Sequence, residues 1–178
     1  MPGIGSIKAL GDIVQMAYLP EDFDAAIRYW TETVGVGPFF LLENIRIGEM
    51  RYRGQPTDAV FSVAIAYWGD IQIELVRPEN DAPSIYNGDY AVKDRVHHVC
   101  IFVDSLEEAR RACAEAGAEI LVEGKVGNDG EVIYVDAGGG PGQVIELLQP
   151  MTGANGMFAM MRDAARDWDG SEPLRILG

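Results

Sequence analysis

The stretch Arg95 Val96 His97 His98 Val99 Cys100 Ile101 Phe102 Val103 Asp104 runs from a charged turn into an apolar strand and holds the only two histidines of the 178-residue chain. Strand side chains alternate in direction, so Val96, His98, Cys100 and Phe102 share one face and His97, Val99, Ile101 and Val103 the other. The two histidines therefore cannot serve the same purpose. The row of His97 continues in β-branched residues suited to burial under a helix, whereas the row of His98 is mixed and can line a cavity.

Downstream, Asp104 Ser105 opens a helix with Glu107 and Glu108 in its first turn, an inner face of Leu106, Ala109, Cys113 and Ala116, and a stop at Gly117. Strands are predicted near 119–123, 131–137 and 143–149. The run Gly138 Gly139 Gly140 Pro141 Gly142 precedes a strand rather than a helix, so it is a hairpin turn and not a phosphate loop. Upstream the same order is already present. A strand over 13–19, apolar except for Gln15, ends at Pro20 Glu21 Asp22 with an acid placed to cap a helix. Phe23, Ala26, Ile27, Trp30 and Val34 then follow at helical spacing up to Gly35. Strands over 37–47, 58–68 and 70–76 come next, the last two joined by the tight turn Gly69 Asp70.

The predicted fold class is therefore α+β, built from tandem βαβββ modules over 12–78 and 96–150 with a polar linker at 79–95. The domain spans 1–150, with residues 1–11 as an arm. The tail at 151–178 is helical, because 154–168 places Phe158, Met161, Ala165 and Trp168 on one face.

Overlaying the modules puts Gln15 on His98, and Ile73 Glu74 Leu75 on Ile145 Glu146 Leu147. A carboxylate between apolar neighbours in mid-strand is costly unless paired, hydrogen-bonded or bound to a metal, and here it occurs at both equivalent positions. By alternation Gln15, Glu74, His98 and Glu146 all point away from the helix-covered faces and can converge. One imidazole nitrogen, one amide oxygen and two carboxylates form a mixed set suited to a divalent cation with positions left open.

The duplicated pattern with these four residues resembles the vicinal oxygen chelate superfamily, which includes glyoxalase I, methylmalonyl-CoA epimerase, extradiol dioxygenases and bleomycin-resistance proteins. The resemblance covers residues 12 to 150, and the order Gln, Glu, His, Glu looks most like glyoxalase I. It implies a partly open, eight-stranded, barrel-like sheet around a metal site. It also implies one divalent ion per chain (Co, Ni, Mn, Zn or Mg) held by Gln15, Glu74, His98 and Glu146, and a homodimer. The implied activity is that of a metal-dependent isomerase, epimerase or lyase that removes a proton next to a carbonyl through an enolate. Two alternatives stand beside it: a metal-free drug-binding protein of the bleomycin-resistance type, and an extradiol dioxygenase, against which the single histidine on the relevant face counts. Glu74 and Glu146 are the candidate bases. Val144 and Leu148 flank Glu146 where Gln72 and Val76 flank Glu74, so Glu146 is expected to be the less solvated and the principal base.

Arg46, Arg51, Tyr52 and Arg53, in the loop expected after the second strand, could receive an anionic part of a small-molecule substrate. Cys100 and Phe102 share the face of His98 and complete the candidate substrate contacts. A formal net charge of −14 argues against nucleic acid, which needs a basic face. With no run of about 18 apolar residues, no leader pattern and two cysteines placed as buried residues, the expectation is a cytoplasmic protein without a membrane partner.

Overall fold

A computed structural model describes residues 6–177. The first module consists of β1 (Ile13–Tyr18), α1 (Phe23–Arg28, continued by a π-helical turn over Tyr29–Val34), β2 (Phe39–Ile45), β3 (Gly48–Tyr52), β4 (Gln55–Pro56), β5 (Phe61–Trp68) and β6 (Ile71–Pro78). The second consists of β7 (Val96–Phe102), α2 (Leu106–Ala116), β8 (Glu119–Val126), β9 (Gly130–Asp136) and β10 (Val144–Gln149). The tail adds α3 (Ala154–Arg166) and β11 (Leu174–Leu177). Part of the expected arm lies outside the described residues, and within it Lys8–Leu10 form a 3-10 turn.

The helices begin and end where local chemistry dictates. The Asp22 carboxylate accepts a hydrogen bond from the Ala25 amide at 2.8 Å, and the Ser105 hydroxyl accepts one from the Glu108 amide at 3.3 Å, each satisfying an amide left free at a helix start. Both helices stop at left-handed glycines, Gly35 and Gly117. The inner face of α2 is Leu106, Ala109, Ala112 and Cys113; Ala116, expected there, sits in the last turn and is exposed.

All eleven strands form one open sheet in the order β11-β2-β5-β6-β1-β7-β10-β9-β8-β3-β4. The repeat is visible in its pairing: β1 runs parallel to β6 as β7 does to β10, and β1 and β7 meet antiparallel at the centre. The eight strands anticipated from the sequence are present, and β3, β4 and β11 are additional. The segment expected as a loop after the second strand is instead the β3–β4 hairpin, which pairs with β8 of the other module. The approach is close enough that a Cβ on Gly124 would lie 2.8 Å from the Gly48 carbonyl oxygen.

One apolar cluster packs under α1 and another under α2, on the outer faces of the two modules. A third cluster draws Phe61 and Ile65 from one module and Val132 and Tyr134 from the other, so the sheet curls with that face inside. Phe158 and Met161 of α3 join this inner cluster, so the tail helix packs within its own chain. The segment 79–95 packs inward too: Ile85, Tyr86 and Tyr90 are buried in the same cluster. Among the described residues no helix is long and apolar enough to cross a membrane.

Candidate metal centre

Strand register brings the four candidate ligands together. Residues directly opposite on neighbouring strands point to the same side, and Gln72, Gln15, Cys100 and Glu146 form one such row across β6, β1, β7 and β10. Glu74, Ala17, His98 and Val144 form the next. The small side chains of Ala17 and Cys100 separate the larger ones, which leaves space for them to converge. Ligand atoms of Glu74, His98 and Glu146 all lie within 4.8 Å of one another, the one such group of His, Cys, Asp and Glu among the described residues. His98 Nε2 is 3.2 Å from Glu146 Oε2 and 3.5 Å from Glu74 Oε2.

Two hydrogen-bond relays set which atoms face the centre. The Ile85 carbonyl can only accept, so His97 Nε2, 2.9 Å away, carries a proton and donates it. Burial, reinforced by the neighbouring His98, lowers the His97 pKa to about 3, so its ring is neutral and its Nδ1 is bare. That bare Nδ1 lies 2.9 Å from His98 Nδ1, which must therefore be the donor, leaving His98 Nε2 to point at the carboxylates. In the second relay Gln15 Nε2 donates to Gln72 Oε1 at 2.8 Å, and Gln72 Nε2 donates to the Tyr67 hydroxyl at 2.8 Å. The amide of Gln15 is thereby oriented with its oxygen free.

Among the described residues, Gln15 Oε1 is buried without a hydrogen-bond partner, and the buried His98 Nε2 meets only the oxygens of the two carboxylates. Buried groups of this kind are ordinarily satisfied; Gln15 lines the same cavity as Glu74 and Glu146, and His98 Nε2 faces both carboxylates. The donor set fits a divalent cation: two carboxylates to balance its charge, with a neutral nitrogen and an amide oxygen to complete it. Burial alone would lower the His98 pKa. Hydrogen bonding and charge from Glu146 and Glu74 outweigh that and raise it to about 9, so without a cation a proton occupies the same place. Burial also raises the Glu74 pKa, with the Glu146 charge adding to the rise and His98 opposing it.

Glu74, Glu146, Gln15 and Phe102 line a cavity of about 270 Å³. The remaining candidates lie elsewhere. Cys100 is fully buried between Gln15 and Glu146, with its thiol pKa pushed well above the usual range by burial and then by the Glu146 and Glu74 charges. Arg46 and Arg51 line a separate surface groove that touches the cavity only through Ile47. Arg53 stacks on Tyr52 and Tyr90 and is 3.7 Å from Glu119. The expected difference in solvation between the carboxylates is not found: Glu74 is 8% exposed and Glu146 7%. Sequence reasoning missed the orienting roles of His97 and Gln72, and also Tyr134, whose ring stands edge-on to His98 at 5.2 Å. Gln72 carried a signal, being a polar residue two positions from Glu74 on the same strand face.

The profile of the Glyoxalase/Bleomycin resistance protein/Dioxygenase superfamily matches residues 14–135. No curated protein sequence matches the chain. Among solved structures, a hypothetical protein from Bacillus halodurans C-125 superposes with a TM-score of 0.56 at 14% identity, covering 79% of this chain and 94% of that one. A methylmalonyl-CoA epimerase in complex with methylmalonyl-CoA and NH4+ gives 0.55 at 16%, covering 80% and 96%. The methylmalonyl-CoA epimerase of Mycobacterium tuberculosis gives 0.54 at 14%, covering 88% and 97%. At these identities the likeness is one of fold.

Proposed function

The chain belongs to the glyoxalase/bleomycin resistance protein/dioxygenase superfamily, and on that basis we propose that it is a metal-dependent isomerase or epimerase, or a lyase of the glyoxalase type. The observation that carries this reading is the buried cluster of Glu74, His98 and Glu146, with the unpartnered Gln15 Oε1 on a residue lining the same cavity. Gln15, Glu74, His98 and Glu146 would hold one divalent cation, which when bound supplies Lewis-acid stabilisation of the charge that forms on a carbonyl oxygen. Glu146 takes a proton from the adjacent carbon, and the electron pair stays on the substrate as an enolate. Glu74 would be a ligand and the second proton carrier, with Glu146 passing the proton it takes back to the substrate or on to Glu74. The two carboxylates stand on equivalent strands of the repeated modules. The apolar walls of the cavity keep water from competing for that proton.

A cation must displace the proton on His98, so its affinity should rise as pH rises. Below the pKa of about 9 the increase should approach tenfold per pH unit, levelling off above it. Calorimetric titration with Zn(II) between about pH 6 and pH 8, in buffers of different protonation enthalpy, is expected to show about one proton released per ion. Affinity that does not change with pH, with no proton released, would count against the site.

His97 is proposed to act on the metal through His98 by fixing its tautomer. Replacing such an outer partner lowers metal affinity by about 10–100-fold, and His97→Phe is expected to do so in competition with a chelator. His97→Asn should restore part of the loss, because its amide oxygen can still accept from His98 Nδ1. Unchanged affinity in His97→Phe would remove the relay.

The proposed homodimer would not use the apolar face of α3, which is covered within the chain. Ile13, Tyr29 and Trp68 are large apolar residues exposed on the surface.

A further inference from the structure

We infer that the site takes an uncharged, largely apolar molecule with its oxygen-bearing end toward Gln15, Glu74 and Glu146, and that α3 imposes this selectivity; the inference rests on the metal-dependent reading above. The cavity has polar groups only at one end, where Gln15, Glu74, Tyr134 and Glu146 lie, and no Lys, Arg or His side chain lines it. Aliphatic and aromatic side chains of both modules form its walls, Ile45, Val63 and Leu148 among them. An anionic group lodged among those apolar walls, away from the polar end, would leave water without meeting a cation. A volume of about 270 Å³ is just below the roughly 300–1,000 Å³ of pockets that enclose drug-sized ligands. The long charged arm of a coenzyme A thioester or a glutathione adduct would have to lie outside.

Outside, it would find little to hold it. The neighbouring groove contains Glu49 and Asp58 as well as Arg46 and Arg51, and Arg51 already donates to the Gly54 carbonyl at 3.0 Å. The chain as a whole carries −14.

The roof consists of Met151, Ala154, Met157 and Phe158, with Phe158 stacked on Phe102 at 5.4 Å. The arginines of α3 are turned elsewhere: Arg162 lies over Tyr67 and 3.8 Å from Asp70, and Arg166 is 3.3 Å from Asp163. The family match covers residues 14–135, so the helix lies outside it.

The test compares 1-phenyl-1,2-propanedione, a neutral vicinal diketone, with propionyl-CoA and S-lactoylglutathione by calorimetry on the full chain, both Zn(II)-loaded and metal-free. The diketone is expected to bind the loaded protein at least tenfold more tightly than either anion. Met157→Lys, which puts a cation into the roof, should weaken diketone binding at least tenfold, and Met157→Leu should not. Equal or tighter binding of either anion, no diketone binding to loaded protein, or indifference to Met157→Lys would overturn the inference and leave the metal reading standing. Diketone binding that is the same with and without metal would support the ligand class while removing the metal-dependent reading.

Discussion

Replacing Glu146 by Gln is expected to slow exchange of the methyl protons of 1-phenyl-1,2-propanedione into deuterated water by about 10²–10⁴-fold, the range in which a positioned general base contributes. The amide occupies nearly the same space as the carboxylate but cannot take up a proton, so the loss should fall on the rate of exchange rather than on diketone affinity. Metal content must be confirmed in the variant, because Glu146 also belongs to the cluster with Glu74 and His98. Proton NMR follows the exchange directly. If Glu146→Gln exchanges normally with metal bound while Glu74→Gln does not, the roles of the two carboxylates are reversed. If neither substitution matters, the proton chemistry lies elsewhere.

His98→Ala is expected to reduce metal affinity by more than the about 10–100-fold assigned to loss of an outer partner, because it removes the one nitrogen donor aimed at the carboxylates. A second effect should accompany it. Glu74 and Glu146 are buried, and in the metal-free chain the cation between them is protonated His98. Without that cation the buried carboxylates lose their partner, and breaking a buried pair in this way costs about 3–5 kcal/mol. Denaturant unfolding of the metal-free variant at neutral pH measures that loss, and chelator competition measures the first. A variant that binds Zn(II) like the wild type would exclude His98 as a ligand.

The four converging residues were legible in the sequence because strand alternation and an internal repeat are both periodic, and Gln15 with His98 and Glu74 with Glu146 occupy matching positions in the two modules. What escaped depends on contacts between distant segments. The 46–53 segment looked like a loop because left-handed residues at Asn44, Glu49 and Arg53 break its alternation, yet β3 and β4 form there against β8. The pairing of β11 with β2 joins the end of the described chain to residues far upstream. Alternation assigned His97 to a helix-covered face, whereas the inward fold of the 79–95 segment gives it the Ile85 carbonyl instead. Cys100 was correctly placed on the face of His98, but a short side chain between two long ones ends up beneath them rather than in the cavity. The solvation difference expected between Glu74 and Glu146 depended on neighbours within each strand, while their exposure is set by the curled sheet and the covering helix.

The most direct test of the metal centre is X-ray absorption at the zinc edge of the Zn(II)-loaded protein. Nitrogen and oxygen donors only are expected, at about 2.0–2.2 Å, with the multiple-scattering signature of a single imidazole, that of His98. A sulfur donor at about 2.3 Å, which would implicate Cys100, or two imidazoles, which would bring in His97, would contradict that expectation.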